Sequence, residues 1–419
     1  MVSFALLRQA FSKDGRPPRA LPTPSDLKPS YDVVIVGGGG HGLATAYYLA
    51  RDWGITNVAV LEKGYIGSGN TGRNTMVIRS NYLTPSGVKF YDASVQLYRD
   101  LAHDFDMNLM LSQRSQITLA HTDAQMRTMR WRDEVSKHFG IASDLVDRDE
   151  LKRIVPHMNL SDDVRFPVQG ALVHHPGSIA RHDAVAWGYG SGAWKRGVEI
   201  HQNTTVTGFE LVKGAGGETT VTGVHTSRGT VKAGQVIQCV AGMSGEIARM
   251  VGLKLPIKTY PLQAGVTQPL KPFLDPLISS TQHHVYLSQT SRGEVVIGGG
   301  SDPYPLYSTR STLEMKEAWM VGTLELFPFL ANVKILRQWA GMTDMTPDYS
   351  PVMGLSPVAN YYLDAGWGTW GFKATPICGK TNAELIATKK TPALIEAFSL
   401  DRFSTFELLD DKAATAASH

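Results

Sequence analysis

The chain has 419 residues, of which 42% are hydrophobic and 19% charged, and a formal net charge of +3. That length supports two domains rather than one small one, and the composition excludes a disordered or fibrous chain. The small, dispersed positive charge excludes a nucleic-acid or anionic-membrane surface, and no apolar run approaches the roughly 20 residues of a membrane helix.

Residues 1–30, with their Pro-rich second half, read as an N-terminal arm. Regular structure starts at "YDVVIVGGGGHGLATAYYLARDWG". Val33 to Val36 form a short apolar run suited to a buried parallel strand; a helix follows the glycines and ends at Gly54. "NVAVLEKG" supplies the second strand of a βαβ unit. Further along, residues 85–103 have helical spacing, "SQITLAHT" reads as a strand, and Thr122 or Asp123 caps a polar-faced helix. "DRDELKRIVP" predicts a short helix stopped before Pro156, and "ALVHHPGS" a strand and turn. A helix over 183–196 closes at Gly197. Short strands follow, with "KGAGGE" as a hairpin tip, then a β-rich stretch over 255–300. "STLEMKEAWMVGTLELFP" is a helix, and "YYLDAGWGTWGFKATPICGKTNAELIATKK" a strand, a Gly-rich loop and a helix.

The spacing therefore predicts an α/β fold: a doubly wound dinucleotide-binding domain made of 31–110, 160–250 and 340–405, interleaved with a β-rich substrate domain of 111–159 and 251–339. Residues 406–419 form a C-terminal tail. Cys239 and Cys378 are the only cysteines and have no CxxC partner, which fits a reducing, cytoplasmic compartment.

Gly37, Gly39 and Gly42 make GxGxxG between strand and helix. Glycine permits the tight turn and the close approach of a pyrophosphate to the helix N-terminus. Glu62, 20 residues after Gly42, ends the second strand, where a carboxylate accepts ribose hydroxyls. The acid disfavours a 2′-phosphate; the motif leaves NAD and FAD both open. Taken alone, Arg79, Lys373 and His182 are compatible with solvated charges and a cap-region histidine. His283, His284 and Tyr286 in "HHVYLSQ" suit either an amine pocket or a core strand, and lack the third donor of a metal site. "GMSGE" misses the last glycine of a nucleophile elbow, so hydrolase chemistry has no support.

Four segments together, "VVIVGGGGHGLATAYYLA", "VAVLEKGYIGSGNTGRNTMVIRSNY", "MTDMTPDYSPVMG" and "GWGTWGFKATP", resemble the D-amino-acid oxidase/sarcosine oxidase group of flavoproteins. "GGGGHGLATAY", "SQR" and "RHDAVAWG" are similar to the beta-subunit family of heterotetrameric sarcosine oxidases in particular, and the likeness runs over about 31–405. The resemblance implies a two-domain FAD-binding fold similar to p-hydroxybenzoate hydroxylase. It implies oxidative demethylation of sarcosine at noncovalent FAD, with electrons passing to FMN and O2. The products would be glycine, H2O2 and formaldehyde or 5,10-methylenetetrahydrofolate.

Alpha, gamma and delta subunits would be partners, with tetrahydrofolate and NAD on the alpha subunit. The covalent FMN would hang on His182, with His174 and His175 as rivals. Arg79 and Lys373 would clamp the substrate carboxylate. Cofactor contacts would include Gly40, His41, Lys63, Asn70, Thr71 and Arg73. Asn74, Val206, Gly242, Gly366 and Gly368 would add to them, together with Gly371, Phe372 and Lys373. Gly341 stands where monomeric relatives carry the cysteine that bonds FAD, so no flavin bond is expected there. The alternatives are a stand-alone FAD oxidase or dehydrogenase of another N-alkyl or D-amino acid, and a nonenzymatic flavin-binding scaffold.

Overall fold

The computed structural model describes residues 26–410. Most of the expected arm and the end of the expected tail therefore lie outside the described residues. Ser30–Val36 forms the first strand and pairs in parallel with Val58–Leu61 on one side and Gly229–Gln238 on the other. Glu199–His201 extends this sheet beyond Val58–Leu61, and Tyr361–Ala365 adds in parallel to Gly229–Gln238. Residues 33–36 and Val58–Leu61, central in this sheet, are buried on both faces, which explains their unbroken apolar runs. Val352–Leu355 lies antiparallel on Tyr361–Ala365, and an antiparallel wing, Val206–Lys213 and Thr219–Thr226, completes the eight-stranded sheet, with "KGAGGE" turning between these two strands.

A second, eight-stranded sheet holds Gln116–Ala120, Lys258–Pro269, Leu277–Ser280 and Ile335–Met345. Two boundaries differ from the expected ones. Gly170–His174, placed by its position in sequence with the nucleotide-binding part, pairs antiparallel with Gln116–Ala120 in this second sheet. Ile335–Met345 belongs to it as well, so residues 340–345 leave the nucleotide-binding part. The local pattern of neither strand, one apolar and one mixed, chooses between partners far away in sequence. A small three-stranded sheet of Val77–Ile78, Ser178–Ile179 and Ser112–Gln113 ties the halves together.

The nucleotide helix, Gly40–Trp53, packs against the C-terminal helix Gly371–Thr388 and against His182–Trp194. Tyr47, Tyr48, Phe105 and Tyr189 fill the contact edge to face, with Phe105 and Tyr189 centroids 4.8 Å apart. Thr84 caps Pro85–Asp104 and Thr122 caps Asp123–His138, each accepting an N–H of the first turn. Among the described residues, no helix is long and apolar enough to cross a membrane.

Candidate active site

Three chain segments meet at a cavity of about 900 Å³ between the two large sheets. The first is the turn after Ser30–Val36. Gly37 has φ +111°, and a Cβ there would lie 2.3 Å from the Cys239 carbonyl oxygen. At Gly42 a Cβ would come within 2.0 Å of the Gly37 carbonyl oxygen, so this glycine lets the helix seat on its own loop. No side chain of the N-cap residue caps the helix, and Thr71 Oγ1 accepts one of its N–H groups, that of Gly40, at 2.9 Å. The remaining first-turn N–H groups and the dipole suit an anion. Glu62 is fixed by the N–H groups of Gly38 and Gly64, both at 2.8 Å, and by the Ser68 hydroxyl at 3.2 Å.

The second segment, 62–79, laces the sheets together. Asn70 donates to the Met342 carbonyl, Arg73 to the Ser68 and Gly69 carbonyls, and Asn74 to Thr71. In return, Trp339 Nε1 donates to the Arg73 carbonyl at 2.7 Å. The segment ends in Arg79, 7% exposed, which donates to Asn81 Oδ1 at 2.8 Å and lies over the Tyr82 ring.

The third is the loop 366–371 and the helix it starts. Lys373 is 5% exposed in the first helical turn, with Nζ donating to the Thr369 carbonyl at 3.2 Å. Burial and the neighbouring Arg79 push its ammonium well below the usual lysine range. Asp364 sits behind this loop. Trp367 Nε1, Asn382 Nδ2 and the Cys378 thiol donate to it, as does His41 Nδ1 at 3.0 Å. Burial opposes the His41 imidazolium, yet Asp364 overrides this and holds it above the usual range. His41, Asp364 and Cys378 bring three metal-type donor atoms within 4.8 Å of one another. With Trp367 and Asn382 also donating protons to the carboxylate, the geometry is that of a hydrogen-bonded ion pair rather than a ligand set. Burial beside Asp364 pushes both thiols up, which removes nucleophilic character from Cys239 and Cys378.

A family model for FAD-dependent oxidoreductases matches residues 32–385. The sarcosine oxidase beta subunit of Rhizobium meliloti (strain 1021) is 46% identical over 387 residues, 92% of each chain. That of an Arthrobacter species is 45% identical, covering 94% of this chain and 96% of its own. The chain belongs to the sarcosine oxidase beta-subunit family of FAD-dependent oxidoreductases. Its fold is shared by the L-proline dehydrogenase of P. horikoshii, with a TM-score of 0.83 and 29% identity over 91% of this chain and all of that one.

In this flavoprotein the cavity suits a long dinucleotide: an anion cradle and Glu62 occupy one part, and buried cations another. Every residue expected to touch cofactor or substrate lines it except Gly42, Gly366 and His182. Gly42 and Gly366 act through the backbone. Gly366 has φ +72°, and its N–H donates to Asp344 Oδ2 at 2.6 Å. Gly341 lines the cavity opposite Asn70 and offers no thiol.

His182 opens the helix His182–Trp194 away from this cavity. Its Nδ1 is buried and finds no hydrogen-bond partner, and burial holds the ring below the usual imidazole range. The rival His174 is wholly buried, its Nε2 accepting from the Ser80 N–H, and His175 pairs at the surface with Asp144. Tyr286 lines the cavity, whereas His283 packs behind it against His121 and His284 is exposed.

Several lining residues escape sequence reasoning. Arg132, 4% exposed, donates to the Asn81 carbonyl at 2.9 Å and so shares Asn81 with Arg79. Its helix reads as polar-faced, and the spacing of Arg132 from buried Met129 and Ser136 is the signal that could find it. Gln116 accepts from Asn81 and donates to Thr118 and Ser279, a polar floor hidden in strands that read as core. Asp344 lines the cavity too; it falls inside the quoted "MTDMTPD" but had no assigned role.

Proposed function

We propose that the chain is the flavin-bearing beta subunit of a multisubunit sarcosine oxidase, and that it seats sarcosine by its carboxylate between Arg79 and Lys373. The observation that carries this reading is the pair of buried cations lining the same cavity as the dinucleotide cradle. A planar guanidinium takes two carboxylate oxygens at once, and the neighbouring ammonium becomes more stable once an anion arrives. When bound, FAD supplies the two-electron acceptor for the N-methyl C–H bond. The chain's own residues orient the amine: Arg79 and Lys373 hold the carboxylate, Tyr286 and Trp370 wall the pocket, and the loop 366–371 closes it. In this reading FAD is held without a covalent bond, because Gly341 has no side chain and both thiols are protonated.

His182 carries FMN in the same proposal. Its Nδ1, kept neutral by burial and without a hydrogen-bond partner, would be the nucleophile toward the flavin methyl. The link would cost one methyl and one imidazole proton, leave the flavin reduced by two electrons, and be completed when O2, the acceptor of the same reading, takes those electrons as H2O2. The overall products are glycine, H2O2 and formaldehyde, or 5,10-methylenetetrahydrofolate where tetrahydrofolate accepts the one-carbon unit. Alpha, gamma and delta subunits complete the cytoplasmic assembly, with tetrahydrofolate and NAD on the alpha subunit. The His182 assignment is tested by acid precipitation of the assembled enzyme. Washed protein is expected to stay yellow and the His182→Ala protein to lose the colour; colour that survives the substitution excludes the site.

A second reading, a stand-alone dehydrogenase of another secondary amino acid, is favoured by the likeness to the L-proline dehydrogenase of P. horikoshii. Turnover of L-proline by the isolated chain, equal to or above that of sarcosine, would establish it.

A further inference from the structure

Asp344 is fully buried near the end of Ile335–Met345, where it pairs with Thr259 of the neighbouring strand. Its main-chain oxygen accepts the Gly368 N–H at 3.0 Å. One carboxylate oxygen, Oδ2, takes the Gly366 N–H at 2.6 Å and lies 3.4 Å from the Ser244 hydroxyl. The other, Oδ1, is buried without a hydrogen-bond partner, and the residue lines the cavity. A buried acceptor left unmade costs about 1–3 kcal/mol, so a position of this kind calls for a donor from outside the chain.

Its surroundings restrict that donor. Asp344 touches the segment after Gly229–Gln238 through Ser244, and the loop leading to Lys373 through Gly366. It stands where the anion cradle meets the cationic wall. A dinucleotide flavin spanning the two presents its ribityl chain between the diphosphate and the ring. The diphosphate has no proton to donate and repels a carboxylate; the ribityl hydroxyls donate.

We propose that Asp344 Oδ1 accepts a hydrogen bond from a ribityl hydroxyl of FAD, which makes Asp344 a cofactor-binding residue. The inference rests on FAD as the occupant of the cavity. Burial pushes the Asp344 carboxyl up to about 6, while the N–H groups of Gly366 and Trp367 pull the other way. A hydroxyl donor favours the ionised form, so binding releases a proton near that pH.

The charged groups facing Asp344 are His41, held above its usual range, and Asp364, held below it. Cys239 and Cys378, behind Asp364, stay protonated, and Glu246 and Arg249 pair with each other at the surface.

The test is FAD binding to the apoprotein, followed by flavin-fluorescence quenching from about pH 5 to about pH 8. Wild-type affinity is expected to rise with pH through about 6, by up to about tenfold per unit while one proton is released. In Asp344→Asn the amide nitrogen cannot face the Gly366 N–H, so it turns to the cavity; affinity is then weaker at pH 8 and flat with pH. Analogues of FAD that each lack one ribityl hydroxyl give a measurement on the wild-type chain alone, independent of how the variant folds. One analogue is expected to bind at least about tenfold more weakly than FAD, the loss of one charge-assisted hydrogen bond. Wild-type binding that is flat with pH, with all analogues equal to FAD, overturns the assignment. An apoprotein that takes up no FAD at any pH overturns the cofactor reading beneath it.

Discussion

Replacing Arg79 by methionine leaves Lys373 to meet a carboxylate without the planar fork. The loss of a buried charge-assisted pair is about 2–3 kcal/mol, or roughly 30- to 150-fold in kcat/KM for sarcosine. The same change is expected to leave turnover of dimethylamine, which has no carboxylate, within about threefold; equal losses for both would remove the clamp. Lys373 gives a pH signature. Its ammonium is destabilised by burial and Arg79 and is favoured by an arriving carboxylate, so anion binding takes up a proton above the depressed value. Affinity for methoxyacetate, an oxygen isostere of sarcosine, is therefore expected to fall as pH rises toward the usual lysine range, with no slope in Lys373→Met. A slope that persists in the variant assigns the proton to another group.

At the scale of elements, the two helix N-termini that face the cavity are joined by the His41–Asp364 pair, the former at the start of one helix and the latter just before the loop of the other. A cation at a helix N-terminus is unfavourable on its own, and Asp364 compensates it. Asp364→Asn removes the anion that holds the His41 imidazolium against burial and meets the Trp367, Asn382 and Cys378 donors with one acceptor oxygen fewer. It is expected to lower apoprotein stability by about 3–5 kcal/mol in urea unfolding, the range for breaking a buried pair; a loss below about 1 kcal/mol would contradict the pairing. Gly42→Ala places a methyl against the Gly37 carbonyl, so it is expected to lose FAD while keeping secondary structure by circular dichroism.

Local patterns made most of these elements legible. The Gly37–Glu62 spacing, the Thr122 cap and the strand–glycine–helix run over 361–388 all depend on neighbours within a few dozen residues. What stayed hidden depends on partners far away in sequence. Gly170–His174 joins the second sheet through Gln116–Ala120, and Arg132 reaches the site only because its helix packs on that sheet. Asp344 shows its unmade bond only when Gly366 and Ser244 are brought beside it.

For the whole molecule, strands of the two large sheets alternate along the chain, and the small sheet at Val77–Ile78 joins segments 112–113 and 178–179. Neither half is a continuous stretch, so the apoprotein is expected to unfold in one calorimetric transition that FAD moves upward. Two transitions, only one of them responsive to FAD, would mean that the halves fold independently. The central claim is that two flavins are held differently: FAD free in the cavity and FMN bonded to His182. Denaturing the assembled enzyme and weighing both the soluble flavin and the peptides tests it most directly. FAD is expected in the supernatant, with an FMN adduct on the peptide that contains His182; FAD retained on a peptide, or nicotinamide in the supernatant, would contradict the account.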